Sequence, residues 1–247
     1  MNMSFNSCLV QLIDSFAHES SRSENADGVH IKTFDDPHIL MRERMMYSGL
    51  GPHPRILECL NPFDWTVPLE QRVSATEPLR FPKAPHGDLQ QYLLVHPDPP
   101  LPLRIQWIRQ IAEGLEFIHS RDIFWADCTP ANMLLMDDLA IVLCDFEGSV
   151  TIRERTRVVL PDRYMQPDAD FSGDYFRGPK VDIYAFGCVM LEILTHGVAN
   201  VENRGWIPDF HRGGLSSDPQ HLLIDLLPFS PFKTLGVILG HNYVRIR

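Results

Sequence analysis

Trp125-Ala-Asp-Cys-Thr-Pro-Ala-Asn132 and, a little farther on, Cys144-Asp-Phe-Glu-Gly148 are the stretches that decide how this chain is read. Between them, 133–136 and 139–144 are short apolar runs that predict two strands, and Asp137-Asp138 supplies the turn between them. A hairpin returns the chain on itself, so Asp145 is expected to emerge beside Asn132. Asp127, Asn132 and Asp145 then offer two carboxylates and an amide oxygen. Hard oxygen ligands of this kind suit Mg²⁺, where His or Cys would not. A carboxylate can also accept the proton of an attacking hydroxyl.

Outward from this centre the pattern is helical on both sides. Residues 103–120 carry Ile108, Ile111, Ala112, Leu115 and Ile118 at helical spacing. Residues 181–194 are apolar nearly all round, which predicts a buried helix, with Asp182 at its start. Between the site and that helix, 150–179 lacks periodicity, and a long irregular segment inside a domain is usually functional. A short helix is expected near 220–227.

Upstream, 1–27 is expected to be a partly disordered lead-in, with a Ser/Glu/Asn/Asp-rich stretch at 19–27. Residues 28–34 alternate like a strand. Asp35-Asp36-Pro37 then signals a helix start. Ile39, Leu40, Met46, Tyr47 and Leu50 form its apolar stripe, and Glu43 falls within it. A carboxylate facing a core is costly unless a cation or donor meets it; the alternative is a helix rotated so that Glu43 lies in water. His53-Pro54-Arg55 breaks the helix. Residues 56–60 read as a strand, 61–76 carry no clear element, and 79–87 read as an extended connector. Asp88 caps a short helix through His96, and the Pro-rich 97–102 reads as a linker.

The 247 residues are 44% apolar with a net charge of −10, an ordinary globular composition that argues against a nucleic-acid groove. The five scattered cysteines form no Cys-x-x-Cys pair, which argues against a disulfide framework or zinc site. The longest apolar run, 183–191, is too short to span a membrane. The expectation is an intracellular, cytoplasmic protein that binds neither membrane nor nucleic acid.

The order of these elements resembles the eukaryotic protein-kinase superfamily. Asp127 and Asn132 stand at the spacing of its catalytic loop, and Asp145-Phe146 resembles its metal-binding Asp-Phe-Gly. Asp182-Ile-Tyr-Ala-Phe-Gly187 resembles the buried helix whose Asp binds catalytic-loop amides. Val29-His-Ile-Lys32 resembles the strand of the phosphate-binding lysine, with Glu43 as its helix partner. The resemblance implies an α+β, two-lobed protein-kinase-like fold: a small β-rich N-lobe with hinge over 28–87 and a mainly helical C-lobe over 88–247. It implies ATP and Mg²⁺ as cofactors. Asp127 and Lys32 would be catalytic, and Asn132 and Asp145 would bind metal. Lys32, Glu43, Asn132, Asp145 and the hinge backbone at Pro82 and Ala84 would bind nucleotide, with Phe81 as gatekeeper.

Several positions depart from the family pattern. Only Gly28 precedes Lys32 where a Gly-rich loop is usual. Thr129 stands in place of a catalytic-loop lysine, Ala126 in place of an arginine, and Glu147 in place of a glycine. Gln166-Pro167-Asp168 stands where Ala-Pro-Glu would be, and 229–247 does not resemble the family's last helices. The expected function is ATP- and Mg²⁺-dependent phosphorylation of a protein hydroxyl, serine or threonine ahead of tyrosine. The alternatives are a catalytically impaired pseudokinase acting as a binding module, or a small-molecule phosphotransferase of the aminoglycoside or choline kinase type. A protein partner is expected to cover the short C-lobe.

Overall fold

The computed structural model describes residues 21–24, 28–64, 66, 76–152, 164 and 179–195. They divide into two compact units. One comprises the chain up to Gly51 together with Glu58–Lys83; the other comprises Pro52–Leu57 and the chain from Ala84 onward. Gln166-Pro167-Asp168, the expected helix at 220–227 and the segment 229–247 lie outside the described residues, as do residues 1–20.

The first unit is built on a three-stranded antiparallel sheet, β1 (Ser21–Glu24), β2 (Val29–Thr33) and β3 (Leu79–Pro82), in that spatial order. β1 falls within the expected partly disordered lead-in 1–27 and corrects that reading at Ser21–Glu24. Its polar residues carry no strand signal of their own, and pairing with β2 supplies it, with Arg22 opposite Lys32. Helix α1 (Pro37–Leu50) follows β2. The Asp36 carboxylate accepts from the His38 N–H at 2.8 Å, and Pro37 occupies the first turn, where its missing N–H costs nothing. Gly51 ends the helix at φ 71°, a left-handed conformation that favours glycine, and its N–H returns to the Tyr47 carbonyl.

The second unit contains α2 (Leu89–Val95), α3 (Leu101–Ser120), β4 (Ile123–Phe124), β5 (Met133–Leu135), β6 (Ile141–Leu143), β7 (Val150–Thr151) and α4 (Lys180–Thr195). Asp88 caps α2 through the Gln91 N–H. α3 begins inside the expected linker because Pro102 fits a first turn. The expected strand at 56–60 is not formed. Only Ile56 bridges, to Leu143 at the edge of β6, while the Leu60 N–H turns to the Arg80 carbonyl within the first unit. The expected β5–β6 hairpin is formed, with Met133 opposite Leu143 and Leu135 opposite Ile141. The β4–β7 ladder, Phe124 opposite Val150, was not legible because two-residue strands carry no periodicity.

The core of this unit lies where α3 packs on β6 and α4. Trp107, Ile108, Ile111 and Ile118 are wholly buried there, as are Leu143, Ala185, Phe186 and Val189. Buried polar groups at its edge are satisfied: Trp107 Nε1 donates to the Leu139 carbonyl and Gln110 Oε1 accepts from the Ile141 N–H, both at 2.8 Å. Gly114 lets α3 approach β6. A Cβ there would lie 2.5 Å from Leu143 Cδ1, 3.0 Å from its Cγ and 3.3 Å from Arg55 Cβ. The gain in helix propensity for Gly114→Ala is about 1 kcal/mol, against roughly 1–3 kcal/mol for overpacking. A net loss of stability is therefore expected, read as a lower urea midpoint with an unchanged slope.

Candidate active site

In the first unit, the burial of Glu43 is answered by Lys32. Both side chains are buried, at 1% and 6% exposure, and Lys32 Nζ lies 3.1 Å from Glu43 Oε1 and 3.0 Å from Oε2. Lys32 sits on the central strand of the sheet and Glu43 on the face of α1 that carries Leu40, Met46, Tyr47 and Leu50. Lys32 also lies over the Phe34 ring, 4.8 Å from its centroid. A buried ion pair needs close geometry to recover its desolvation cost, and this one places an ammonium in a fixed position. Phe81 is buried, with its ring centroid 5.1 Å from that of Tyr47.

In the second unit, the loop between β4 and β5 turns through a short 3₁₀ segment, Pro130–Asn132. Asn132 Nδ2 donates to Asp127 Oδ2 at 2.7 Å and to the Asp127 carbonyl at 3.1 Å. The amide nitrogen is thus committed to Asp127, and the amide oxygen is the atom left to meet a cation. The Cys144 N–H donates to the Asn132 carbonyl at 3.0 Å, so the hairpin delivers Asp145 beside Asn132. Asp145 has φ 64°, in the left-handed region that Asp tolerates better than most residues. Asp127, Asn132 and Asp145 offer two carboxylates and an amide oxygen, donor types that suit a hard divalent cation.

Asp182 anchors this loop. Its side chain is wholly buried at the start of α4; Oδ1 accepts from the Ala126 N–H at 2.7 Å and Oδ2 from the Trp125 N–H at 2.9 Å. His119 Nε2 lies 2.8 Å from the same Oδ2. Ala126 is held at φ 66°, a strained conformation for a residue with a Cβ, and the bond to Asp182 helps to hold it there. Cys128, beside Asp127, is wholly buried. Burial first, then the nearby Asp182, Asp127 and Cys188, push its thiol well above the ordinary range. It is therefore a neutral packing group and not a nucleophile.

Trp125 combines packing with a polar role. Its indole N–H is shared between the carbonyls of Cys144 and Asp145, each at 3.0 Å. Its own carbonyl accepts from the buried Ser149 hydroxyl at 2.9 Å. Its ring lies 6.1 Å from that of Phe146. Trp125 thus links the Asp182 anchor to the backbone that presents Asp145. Trp125→Phe keeps the ring system partly filled and leaves both carbonyls without that donor. An expected loss of about 1–3 kcal/mol in unfolding free energy follows, measurable by urea denaturation.

With this geometry in view, the family model described as the protein kinase domain matches residues 25–204. The chain belongs to the protein kinase family. The kinase domain is 35% identical over 114 residues to a probable serine/threonine-protein kinase of Dictyostelium discoideum, covering 44% of this chain and 27% of that protein. It is 32% identical over 109 residues to a serine/threonine-protein kinase of Caenorhabditis briggsae, covering 41% and 22%. It is 24% identical over 229 residues to a transforming tyrosine-protein kinase of Avian retrovirus RPL30, covering 87% and 47%. The chain thus spans about a quarter to a half of the length of these relatives. The two-lobed kinase fold follows from this membership: the sheet and α1 belong to the N-lobe, and α2, α3 and α4 to the C-lobe. No helix among the described residues is long and apolar enough to cross a membrane.

The substitutions that set this kinase domain apart now have surroundings. Thr129 is buried, and its N–H donates to the Asp127 carbonyl at 2.9 Å. At the expected hinge, Pro82 ends β3 and can offer a carbonyl but no N–H. Ala84 gives its carbonyl to the Gly87 N–H at 3.1 Å. Sequence reasoning missed Ser149, whose hydroxyl has no sequence signature, and Arg44. Arg44 adjoins Glu43 on α1 and is wholly buried. Burial pulls its guanidinium below the ordinary arginine range, with Cys59 and Glu77 acting the other way. A second charge within an apolar helix face was the available signal.

Proposed function

We propose that this kinase domain transfers the γ-phosphoryl group of ATP, with Mg²⁺, to a protein hydroxyl, serine or threonine ahead of tyrosine. The observation that carries the reading is the Asp127 carboxylate, oriented by Asn132 within a loop fastened to Asp182. A carboxylate so fixed is placed to orient a hydroxyl and accept its proton. Asn132 and Asp145 would hold Mg²⁺ through oxygen atoms. Bound Mg²⁺ supplies neutralisation of the phosphate charge. The Lys32–Glu43 pair presents one ammonium, suited to the α- and β-phosphates. The Pro82 carbonyl and Ala84 N–H are the hinge groups offered to adenine. Preference for serine or threonine is supported by the relatives named as serine/threonine kinases, which are more similar per residue than the tyrosine kinase.

One observation favours a second reading, a nucleotide-binding module with little turnover. Thr129 puts a neutral, buried side chain where a cation would assist the γ-phosphate, and such assistance is worth several kcal/mol. Two measurements separate the readings. Mg·ATP is expected to raise the melting temperature of the wild-type chain and not of Asp145→Ala. Label from γ-labelled ATP is expected on serine or threonine of a mixed peptide set. Stabilisation without transfer favours the module, transfer to small hydroxylated molecules alone favours a metabolite phosphotransferase, and neither effect refutes nucleotide chemistry here.

A further inference from the structure

Arg44 reaches from α1 to both ends of the excursion between Asn61 and Pro78, all within the first unit. One terminal nitrogen donates to the Asn61 carbonyl at 2.6 Å and the other donates to the Glu77 carbonyl. The guanidinium carbon also lies over the Phe63 ring, 5.5 Å from its centroid. Asn61 itself fastens the two ends together. Its Nδ2 donates to the Pro78 carbonyl at 2.9 Å, and its Oδ1 accepts from the Arg80 N–H at 3.0 Å. A turn farther along α1, Ser48 accepts from the Phe63 N–H at 2.8 Å. The excursion is therefore tied at its base and gripped by the helix at two levels.

Helical geometry gives this grip a consequence. Consecutive residues point about 100° apart around an α-helix, so fixing the direction of Arg44 fixes that of Glu43. We infer that Arg44 is a positioning residue: by holding the Asn61 and Glu77 carbonyls it sets the rotation of α1 and so keeps Glu43 on Lys32. Backbone carbonyls suit this task because they move only if the chain does. The planar fork of Arg presents its donors in a fixed, spread geometry, whereas the Lys ammonium is a compact point charge whose donors rotate on a flexible stem. The importance of this setting for phosphoryl transfer rests on the function proposed above; the setting itself does not.

The test reads Lys32 directly, with no nucleotide present. Acylation of Lys32 by an amine-reactive ester, followed by peptide mass mapping, is compared in the wild-type chain, Arg44→Lys, Asn61→Ala and Glu43→Gln. If α1 turns when its grip is loosened, Lys32 acylation rises about tenfold in Arg44→Lys and Asn61→Ala, approaching Glu43→Gln, and is insensitive to low urea, as local opening is. Unchanged acylation in both variants overturns the inference. So does a rise that climbs with urea as steeply as global unfolding, because it reports loss of the fold rather than rotation of one helix. Failure of the wild-type chain to bind Mg·ATP would count against the proposed function and leave this result standing.

Discussion

Asp182→Ala is expected to lower the unfolding free energy by roughly 3–5 kcal/mol, the range for breaking a buried charged network. Three donors converge on that carboxylate: the N–H groups of Trp125 and Ala126 and the His119 ring. Hydrogen bonds to an ionised group contribute roughly 1.5–3 kcal/mol each, and a buried donor left unsatisfied carries its full desolvation cost. The loss is not local to α4. Ala126 sits at φ 66°, and without its acceptor the loop is free to relax toward an ordinary conformation, carrying Asp127 with it. Urea unfolding should show a lower midpoint, and any phosphoryl transfer should fall even where the chain is still folded. Asp182→Asn keeps one acceptor oxygen and should fall between the two. A midpoint unchanged in Asp182→Ala would show that the anchor is dispensable.

Asp127→Asn is expected to lower the rate of phosphoryl transfer by about 10²–10⁴, the usual contribution of a positioned general base. The substitution is nearly isosteric, and its amide oxygen can still accept from Asn132 Nδ2, so the loop should keep its shape. Mg·ATP affinity should stay within about twofold of wild type, because the loss belongs to the transition state. Initial rates with saturating ATP, set beside thermal stabilisation by Mg·ATP, separate these effects. A variant that keeps the full rate would remove Asp127 from the chemistry.

Much of the fold was legible because its signals are local. The Asp36-Pro37 start, the Asp88 cap and the Asp137-Asp138 turn each act within a few residues of themselves, and each element stands where its signal is. Helix α3 announces itself through apolar periodicity, and α4 through a long run that is apolar nearly all round. The misreadings share one cause. β1 is a strand only because β2 pairs with it, and 56–60 fails to be one because its ladder partner ends at Leu143. Pairing is a long-range event, and short polar or Pro-bounded segments carry too little pattern to announce it.

The sequence by itself determined the chemistry available: Asp127, Asn132 and Asp145 on a loop and hairpin, a lysine on a strand, and a carboxylate in an apolar stripe that demanded a cation. Spacing and burial cost are properties of the chain and can be read from it. Tertiary structure alone decided who holds these groups in place. Nothing in the spacing of Trp125, Ser149, Asp182 and Arg44 announces an indole shared by two carbonyls, a hydroxyl on the Trp125 carbonyl, a carboxylate beneath two amides or a guanidinium across an excursion. Those partners are backbone groups far away in sequence. Every residue carries the same backbone groups, so only the folded chain can say which of them meet.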